Sequence, residues 1–240
     1  MNKQVALVTG ANKGIGYEIA RQLATKGMTV LLGARDTERG RKAAEALSAS
    51  GDVRFVQLDV SDAKSITKAA EYVTKEFSTL DVLVNNAGIV DPKDGPPSTA
   101  SLDAVRRVFE TNFYGVLAAT QAFLPMVRKS NAGRIVNVSS GLGSLTLNAD
   151  PSWDYAQVKL LGYNGSKAVL NMLTVQLAYE LRDTTIKVNT VNPGYTKTDL
   201  NDNQGFQTLA EGAEAAVRAA TLGANGPTGS FFNKDGDDPW

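Results

Sequence analysis

Gln4-Val5-Ala6-Leu7-Val8-Thr9-Gly10-Ala11-Asn12-Lys13-Gly14-Ile15-Gly16 is the stretch from which the rest of the chain is read. Val5 to Val8 is a short apolar run suited to a buried parallel strand, and it stops at Thr9-Gly10. Ile15, Ile19 and Leu23 then recur at helical spacing, with Ala20 and Ala24 beside them, until Gly27 stops the pattern. A strand, a glycine loop and a helix therefore follow one another. Gly10, Gly14 and Gly16 let the backbone turn sharply and let a pyrophosphate approach the free N–H groups and positive end of the helix. Their spacing differs from G-x-G-x-x-G, and an ordinary tight turn would use the same residues.

Composition narrows the chemistry. The 240 residues include 25 Lys plus Arg against 25 Asp plus Glu, so no net field draws nucleic acid or an anionic membrane surface. No apolar run approaches the roughly 20 residues of a membrane span, and Val5 already belongs to a strand, which together point to a soluble, cytoplasmic protein. There is no cysteine and no histidine. A disulfide, a thiol nucleophile, a Ser-His-Asp triad and a Cys- or His-ligated metal are thus excluded, and any acid or base must be Tyr, Lys, Asp or Glu.

Onward from Gly27, strands and helices alternate without a linker, the pattern of one α/β domain over residues 1–240. Thr29 to Leu32 reads as the second strand, and Gly33-Ala34-Arg35-Asp36 follows where a nucleotide-binding unit meets the adenosine ribose. Asp36 has the spacing of a ribose-binding acid, but it directly precedes a helical segment from Thr37 to Ser50, and the cap reading is preferred. Lys13 and Arg35 then lie in the two loops that converge on the ribose, or are solvated surface charge. Arg54 to Leu58 is the third strand, ending at Asp59-Val60. A helix from Asp62 to Phe77 leads to the fourth strand, Leu80 to Val84. It ends in Asn85-Asn86-Ala87-Gly88, which suits a turn and equally a ligand touching the backbone.

Val90 to Thr99 is loop, and Ser101 caps a long helix reaching Lys129 that Pro125 kinks or breaks. Asn112 falls in phase with that helix's buried stripe, so its amide must find partners, as a satisfied core residue or a functional one. The fifth strand, Arg134 to Ser140, ends in two hydroxyls. Gly141 to Asp154 is loop-like, and a strong helix runs from Ser166 through Leu181. Tyr163 and Lys167 share one face near its start. The sixth strand, Ile186 to Val191, closes in Asn192-Pro193-Gly194, and a polar stretch from Tyr195 has the length of a mobile lid, taken as 195–212. A helix near Gly212 to Leu222 and a short strand, Gly229 to Phe232, lead into the tail.

Taken together, Thr9-Gly10-x-x-x-Gly14-x-Gly16, Asn85-Asn86-Ala87-Gly88, Asn112, Ser140, Tyr163-x-x-x-Lys167 and Pro193-Gly194 resemble the short-chain dehydrogenase/reductase family in order and approximate spacing. Asn12-Lys13 between the first glycines and Ala34-Arg35-Asp36 after the second strand are similar to its NADPH-dependent carbonyl reductases. The resemblance implies a doubly wound Rossmann sheet of seven parallel strands with helices on both faces, and hydride transfer from NADPH to a ketone or aldehyde. It implies that Tyr163 is the acid, that Lys167 holds the nicotinamide ribose and lowers the Tyr163 pKa, that Ser140 binds the substrate oxygen, and that Asn112 positions a water. It places the dinucleotide on Gly10, Asn12, Lys13, Gly14, Ile15, Gly16, Arg35, Asp59, Val60, Asn86, Ala87, Gly88, Tyr163, Lys167, Pro193, Gly194, Thr196 and Thr198, with no metal. Its alternatives are an NADP(H)-sensing regulator without turnover, or an alcohol dehydrogenase running oxidatively.

Elementary electrostatics agrees with the Tyr-Lys pairing. A free phenol titrates near 10, and an ammonium about 5 Å away at an effective dielectric of about 20 contributes roughly 3 kcal/mol, or about 2 pKa units. Two further expectations concern the segment before Tyr163. Ser140 and Tyr163 are 23 residues apart, a longer insert than many family members have; in the family such an insert disturbs tetramer packing, so a monomer or dimer is expected. That insert also holds Tyr155-Ala-Gln-Val-Lys159, a second Tyr-x-x-x-Lys eight residues earlier. Tyr163 is preferred, because its distance to Pro193 fits a helix plus a strand and because Gly162 and Gly165 interrupt any helix begun at Tyr155.

Overall fold

In the computed structural model, which describes residues 3–240, seven parallel strands form one sheet in the order β3-β2-β1-β4-β5-β6-β7. The strands are β1 (Val5–Val8), β2 (Thr29–Ala34), β3 (Val53–Gln57), β4 (Val82–Asn85), β5 (Arg134–Val138), β6 (Lys187–Val191) and β7 (Phe231–Phe232). Both faces of the sheet are covered, which is why its central strands read as unbroken apolar runs. Ala6, Val8, Val30, Leu32, Val82, Val84 and Val136 point into one core with α1 (Gly14–Thr25), α2 (Thr37–Ala46) and α8 (Leu209–Ala220). Leu7, Leu31, Leu83, Ile135 and Val188 point into the other, against α3 (Ala63–Glu76), α5 (Gly115–Val127) and α7 (Leu161–Glu180).

The chain builds β1 to β3 outward in one direction and then returns to place β4 against the other side of β1. That reversal opens a crevice at the carboxyl ends of β1 and β4, the position where open α/β sheets bind ligands. A buried polar chain fixes the neighbouring register: Asn85 donates to Asn137 (2.9 Å), Asn137 donates to Thr174 (2.8 Å), and Thr174 shares a 2.6 Å bond with Thr190. Asn85 pairs with Asn137, and Asn137 with Thr190, in the strand register. Side chains thus lock β4, β5, β6 and α7 into one unit.

Asp36 and Ser101 cap α2 and α4 (Leu102–Phe109), as their sequence positions predict. Elsewhere the boundaries move. The helix after Ser101 is interrupted at Glu110–Tyr114, a π-turn, while Pro125 stands inside α5, which continues to Val127. One added residue in the turn suffices to widen it, and no Pro or Gly is required. Gly141 to Asp154 is not a plain loop, since a 3-10 turn at Gly141–Gly143 and a short helix, α6 (Leu145–Ala149), use Ser140 and Ser144 as caps. The helix bearing Tyr163 starts at Leu161, five residues before Ser166, with Gly162 and Gly165 inside it. The helix expected near Gly212 begins at Leu209, capped by Thr208 with Glu211 reciprocating, so 209–212 is its first turn.

Candidate active site

A cleft of about 380 Å³ lies at the switch point. Gly10, Asn12, Lys13, Gly14, Ile15 and Gly16 form one wall, Arg35, Asp59 and Val60 a second, and Asn86, Ala87 and Gly88 a third. Tyr163, Lys167, Pro193 and Thr198 close it from the side of α7 and the segment after β6. The glycine loop has no space for a side chain at Gly10 or Gly16. A Cβ on Gly10, which has φ +63°, would lie 2.9 Å from Ala87 Cα, and one on Gly16 would lie 2.8 Å from the Gly10 carbonyl oxygen. Asn86 locks this contact, donating through Nδ2 to the carbonyls of Thr9 (2.9 Å) and Gly10 (3.2 Å). The Thr9 hydroxyl in turn accepts from the backbone N–H groups of Asn86 and Ala87. Asn86 therefore works as a brace between β1 and β4.

The start of α1 has neither a side-chain cap nor an acidic residue in its first turn. Its first N–H groups and positive dipole end face a cleft lined by glycine, the arrangement that receives a phosphate. Arg35 is exposed at the same end, and among the described residues no carboxylate pairs with it. Asp59 is occupied locally by the Ser61 N–H (3.0 Å) and hydroxyl (2.7 Å).

At the opposite end, α7 carries Tyr163 and Lys167 one turn apart, with the Lys167 ammonium 5.6 Å from the centre of the Tyr163 ring. Lys167 is buried, and its Nζ donates to the Val138 carbonyl at 2.8 Å. Burial lowers its pKa from 10.5 to about 8. The phenol of Tyr163 moves the other way: burial pushes it above the ordinary tyrosine value, and the Ser140 hydroxyl beside it offsets part of that rise. The expectation that Lys167 brings the phenol down is therefore not met in this structure. The ammonium is aimed at Val138 and stands over the ring, and loss of solvent dominates both groups.

The remaining expected residues are placed as follows. Asn112 is wholly buried within the π-turn, where Oδ1 accepts from Ile89 N–H (2.8 Å) and Nδ2 donates to Ile89 O (3.0 Å) and Ser166 Oγ (3.1 Å). It lies behind Gly88, whose missing Cβ would sit 3.5 Å from both Asn112 Oδ1 and Lys167 Nζ. Ser139 is buried in the cleft wall with its hydroxyl donating to the Lys167 carbonyl (3.4 Å), and the half-exposed Ser140 stands beside Tyr163. Gly194 and Thr196 do not line the cleft. Gly194 takes φ +70° in the turn after β6, and the buried Thr196 hydroxyl donates to the Pro193 carbonyl at 2.9 Å.

Three features are not announced by any sequence motif. Asp94, from the loop at Val90 to Thr99, accepts from the N–H groups of Gly162 (2.9 Å) and Tyr163 (2.8 Å), capping the turn that carries Tyr163. Asp199 pairs with Lys13 at 2.7 Å. Trp153, Tyr155, Tyr195 and Phe206 meet edge to face in a chain, with successive ring centroids 5.4, 5.7 and 6.1 Å apart. This chain takes up Tyr155, while Lys159 turns away to the Asn148 carbonyl (3.2 Å), and residues 151–157 form turns. The second Tyr-x-x-x-Lys is thus split between two surroundings. An uncapped, acid-free helix start at one end of the crevice, and a half-buried Tyr163 beside a buried Lys167 at the other, can hold a dinucleotide and move a proton.

The family model described as short chain dehydrogenase matches residues 4–208. The chain belongs to that family. It is 38% identical to the short-chain dehydrogenase anuI of Penicillium roqueforti, over 93% of this chain and 91% of that protein. It is 33% identical to a (+)-neomenthol dehydrogenase of Capsicum annuum, over 95% of this chain and 94% of that protein. Among solved structures, an NADPH-bound carbonyl reductase from chicken fatty liver superimposes with a TM-score of 0.86 at 30% identity, covering 100% of both chains. As a short-chain dehydrogenase the protein is an oxidoreductase with carbonyl reductase relatives. No described helix is long and apolar enough to cross a membrane, and the described residues contain no group of His, Cys, Asp and Glu that could hold a metal.

Proposed function

We propose that this short-chain dehydrogenase is an NADPH-dependent carbonyl reductase acting on a small ketone or aldehyde, with the whole chain working as one domain. The reading is carried by one observation: a half-buried tyrosine beside a buried lysine, and a helix start with no acid in its first turn and Lys13 and Arg35 nearby, share a single cleft. The glycine loop and the start of α1 would hold the pyrophosphate, Arg35 would meet the 2'-phosphate, and Lys167 would hold the nicotinamide ribose. The reduced nicotinamide supplies a hydride when bound.

Tyr163 gives its phenolic proton to the carbonyl oxygen, and Ser140 hydrogen-bonds the same oxygen so that it faces the phenol. Lys167, with a pKa of about 8, keeps positive charge beside the phenolate that this transfer leaves. Asn112 holds the backbone of Ile89 and the Ser166 hydroxyl beside Gly88, on the side where Lys167 needs a polar path outward. The raised phenol pKa keeps Tyr163 in the neutral form that donates to a carbonyl, and the ratio of reduced to oxidised cofactor sets which direction runs. A sensor without turnover has no use for a proton donor of this kind.

The test is NADPH absorbance followed with a panel of ketones, aldehydes and quinones. Oxidation above blank with at least one carbonyl is expected. Measurable NADPH binding with no oxidation across the panel would move the protein to the sensing role.

A further inference from the structure

Lys13 is not a free cation. Its ammonium donates to Asp199 Oδ2 at 2.7 Å, joining the glycine loop to a residue 186 positions later, and both side chains line the cleft. The pair holds the Asp199 carboxyl below the usual range. Asp199 is presented by a stiff piece of chain. Thr198 and Asn201 close a capping box around the 3-10 turn Asp199–Asn201, and Asn201 Nδ2 donates to the Thr196 carbonyl at 2.9 Å. Asp202 and Asn203, at φ +52° and +59°, carry the chain out of the turn, and the Asn203 N–H returns to the Thr198 carbonyl at 2.9 Å. The segment also rests on the glycine loop, since a Cβ on Gly14 would stand 3.9 Å from Thr198 Cγ2.

This geometry gives Lys13 two competing partners. Resting on the NADPH reading above, we infer that Asp199 is a specificity-determining residue that competes with the cofactor's 2'-phosphate for Lys13 and so restrains the preference for NADPH over NADH. An ammonium has three donors, so Lys13 can leave Asp199 or share itself. Either way part of the Lys13 charge stays with Asp199 and is withheld from the phosphate dianion, whereas the neutral 2'-hydroxyl of NADH draws little on that charge. Arg35, with no acid partner among the described residues, is left to supply the positive reading of the phosphate.

Because both members of the pair are solvent-exposed, the effect is modest and falls with salt. Nucleotide fluorescence titration at low ionic strength, with NADPH and with NADH, reads it directly. Asp199→Asn is expected to raise the ratio of NADPH to NADH affinity by about 2- to 5-fold in the otherwise unchanged chain, and to leave the ratio flat in a Lys13→Ala background. An unchanged ratio, or equal weakening of both nucleotides, would show that Asp199 only fastens this segment, and would overturn the inference. An equal rise in the Lys13→Ala background would also overturn it, because the acid would then act without Lys13. A wild-type chain that binds neither nucleotide, or prefers NADH, overturns the NADPH reading itself, and the inference with it.

Discussion

At the nucleotide end of the cleft Gly10 and Gly16 press against Ala87 and Asn86 with no space for a side chain; in the loops before α7 and after β6, outside the lining of that cleft, Trp153, Tyr155, Tyr195 and Phe206 touch only edge to face. The first region is built from the backbone of β1, α1 and β4 and is closed by hydrogen bonds from Asn86 and Thr9. The second is built from side chains, and its last ring, Phe206, is 69% exposed. A site that binds a constant ligand can be cast in main chain. A surface that selects among substrates is made where single substitutions change shape without moving a strand.

The sharpest way to break this division is Tyr163→Phe. Loss of the proton donor should lower kcat by about 10²- to 10⁴-fold while NADPH affinity stays within about twofold. Tyr155→Phe should change mainly the apparent substrate affinity. An active Tyr163→Phe beside an inactive, folded Tyr155→Phe would reverse the roles of the two tyrosines. Next in size is Arg35→Ala, which removes a charged hydrogen bond and should weaken NADPH by roughly 10- to 100-fold, with NADH much less affected. Equal losses for both would make Arg35 a structural residue.

The pH profile comes third. Deprotonating Lys167 removes the ammonium, so kcat/KM for reduction should fall as the pH rises through about 8, approaching tenfold per unit beyond it. A flat profile would show that the charge is not needed. Stability runs the opposite way. The fold lowers this pKa from 10.5 to about 8, so between those values the unfolded chain binds more protons, and unfolding becomes harder as the pH rises. Denaturation midpoints at both ends of that window check the sign. The smallest effect belongs to the aromatic chain: Phe206→Ala should raise KM for flat cyclic ketones by about 2- to 10-fold, the size of one aromatic contact, and leave small aliphatic carbonyls unchanged.

The same division explains what could be read in the sequence. Strand ends, the glycine triplet, the Asp36 cap and the Tyr163-Lys167 pair are local patterns with fixed periods, so residue order alone exposes them. The π-turn at Glu110–Tyr114 leaves no such mark, because one inserted residue shifts the helical phase without a breaker, whereas Pro125, the residue that signals a kink or break, lies inside α5. Asp94 on the N–H groups of α7 and Asp199 on Lys13 are long-range pairings, 69 and 186 positions apart, that no periodicity encodes. The direction of the Tyr163 pKa is hidden for the same reason. Charge spacing along a helix is visible in a sequence, but the solvent lost around a phenol is not.

The end of the chain adds a practical consequence. The Trp240 carbonyl accepts from the Thr146 N–H at 2.9 Å, its ring lies 5.5 Å from Phe231, and Asp238 accepts from Asn192 (2.9 Å) and Asn233 (2.7 Å). Asn192 in turn accepts from the Gly194 N–H at 3.0 Å, the first step into the segment that covers the cleft. Asp238→Ala would therefore free Asn192 and the turn at Gly194 that it steadies, so a side chain outside the cleft lining helps fix how the segment after β6 is presented to it.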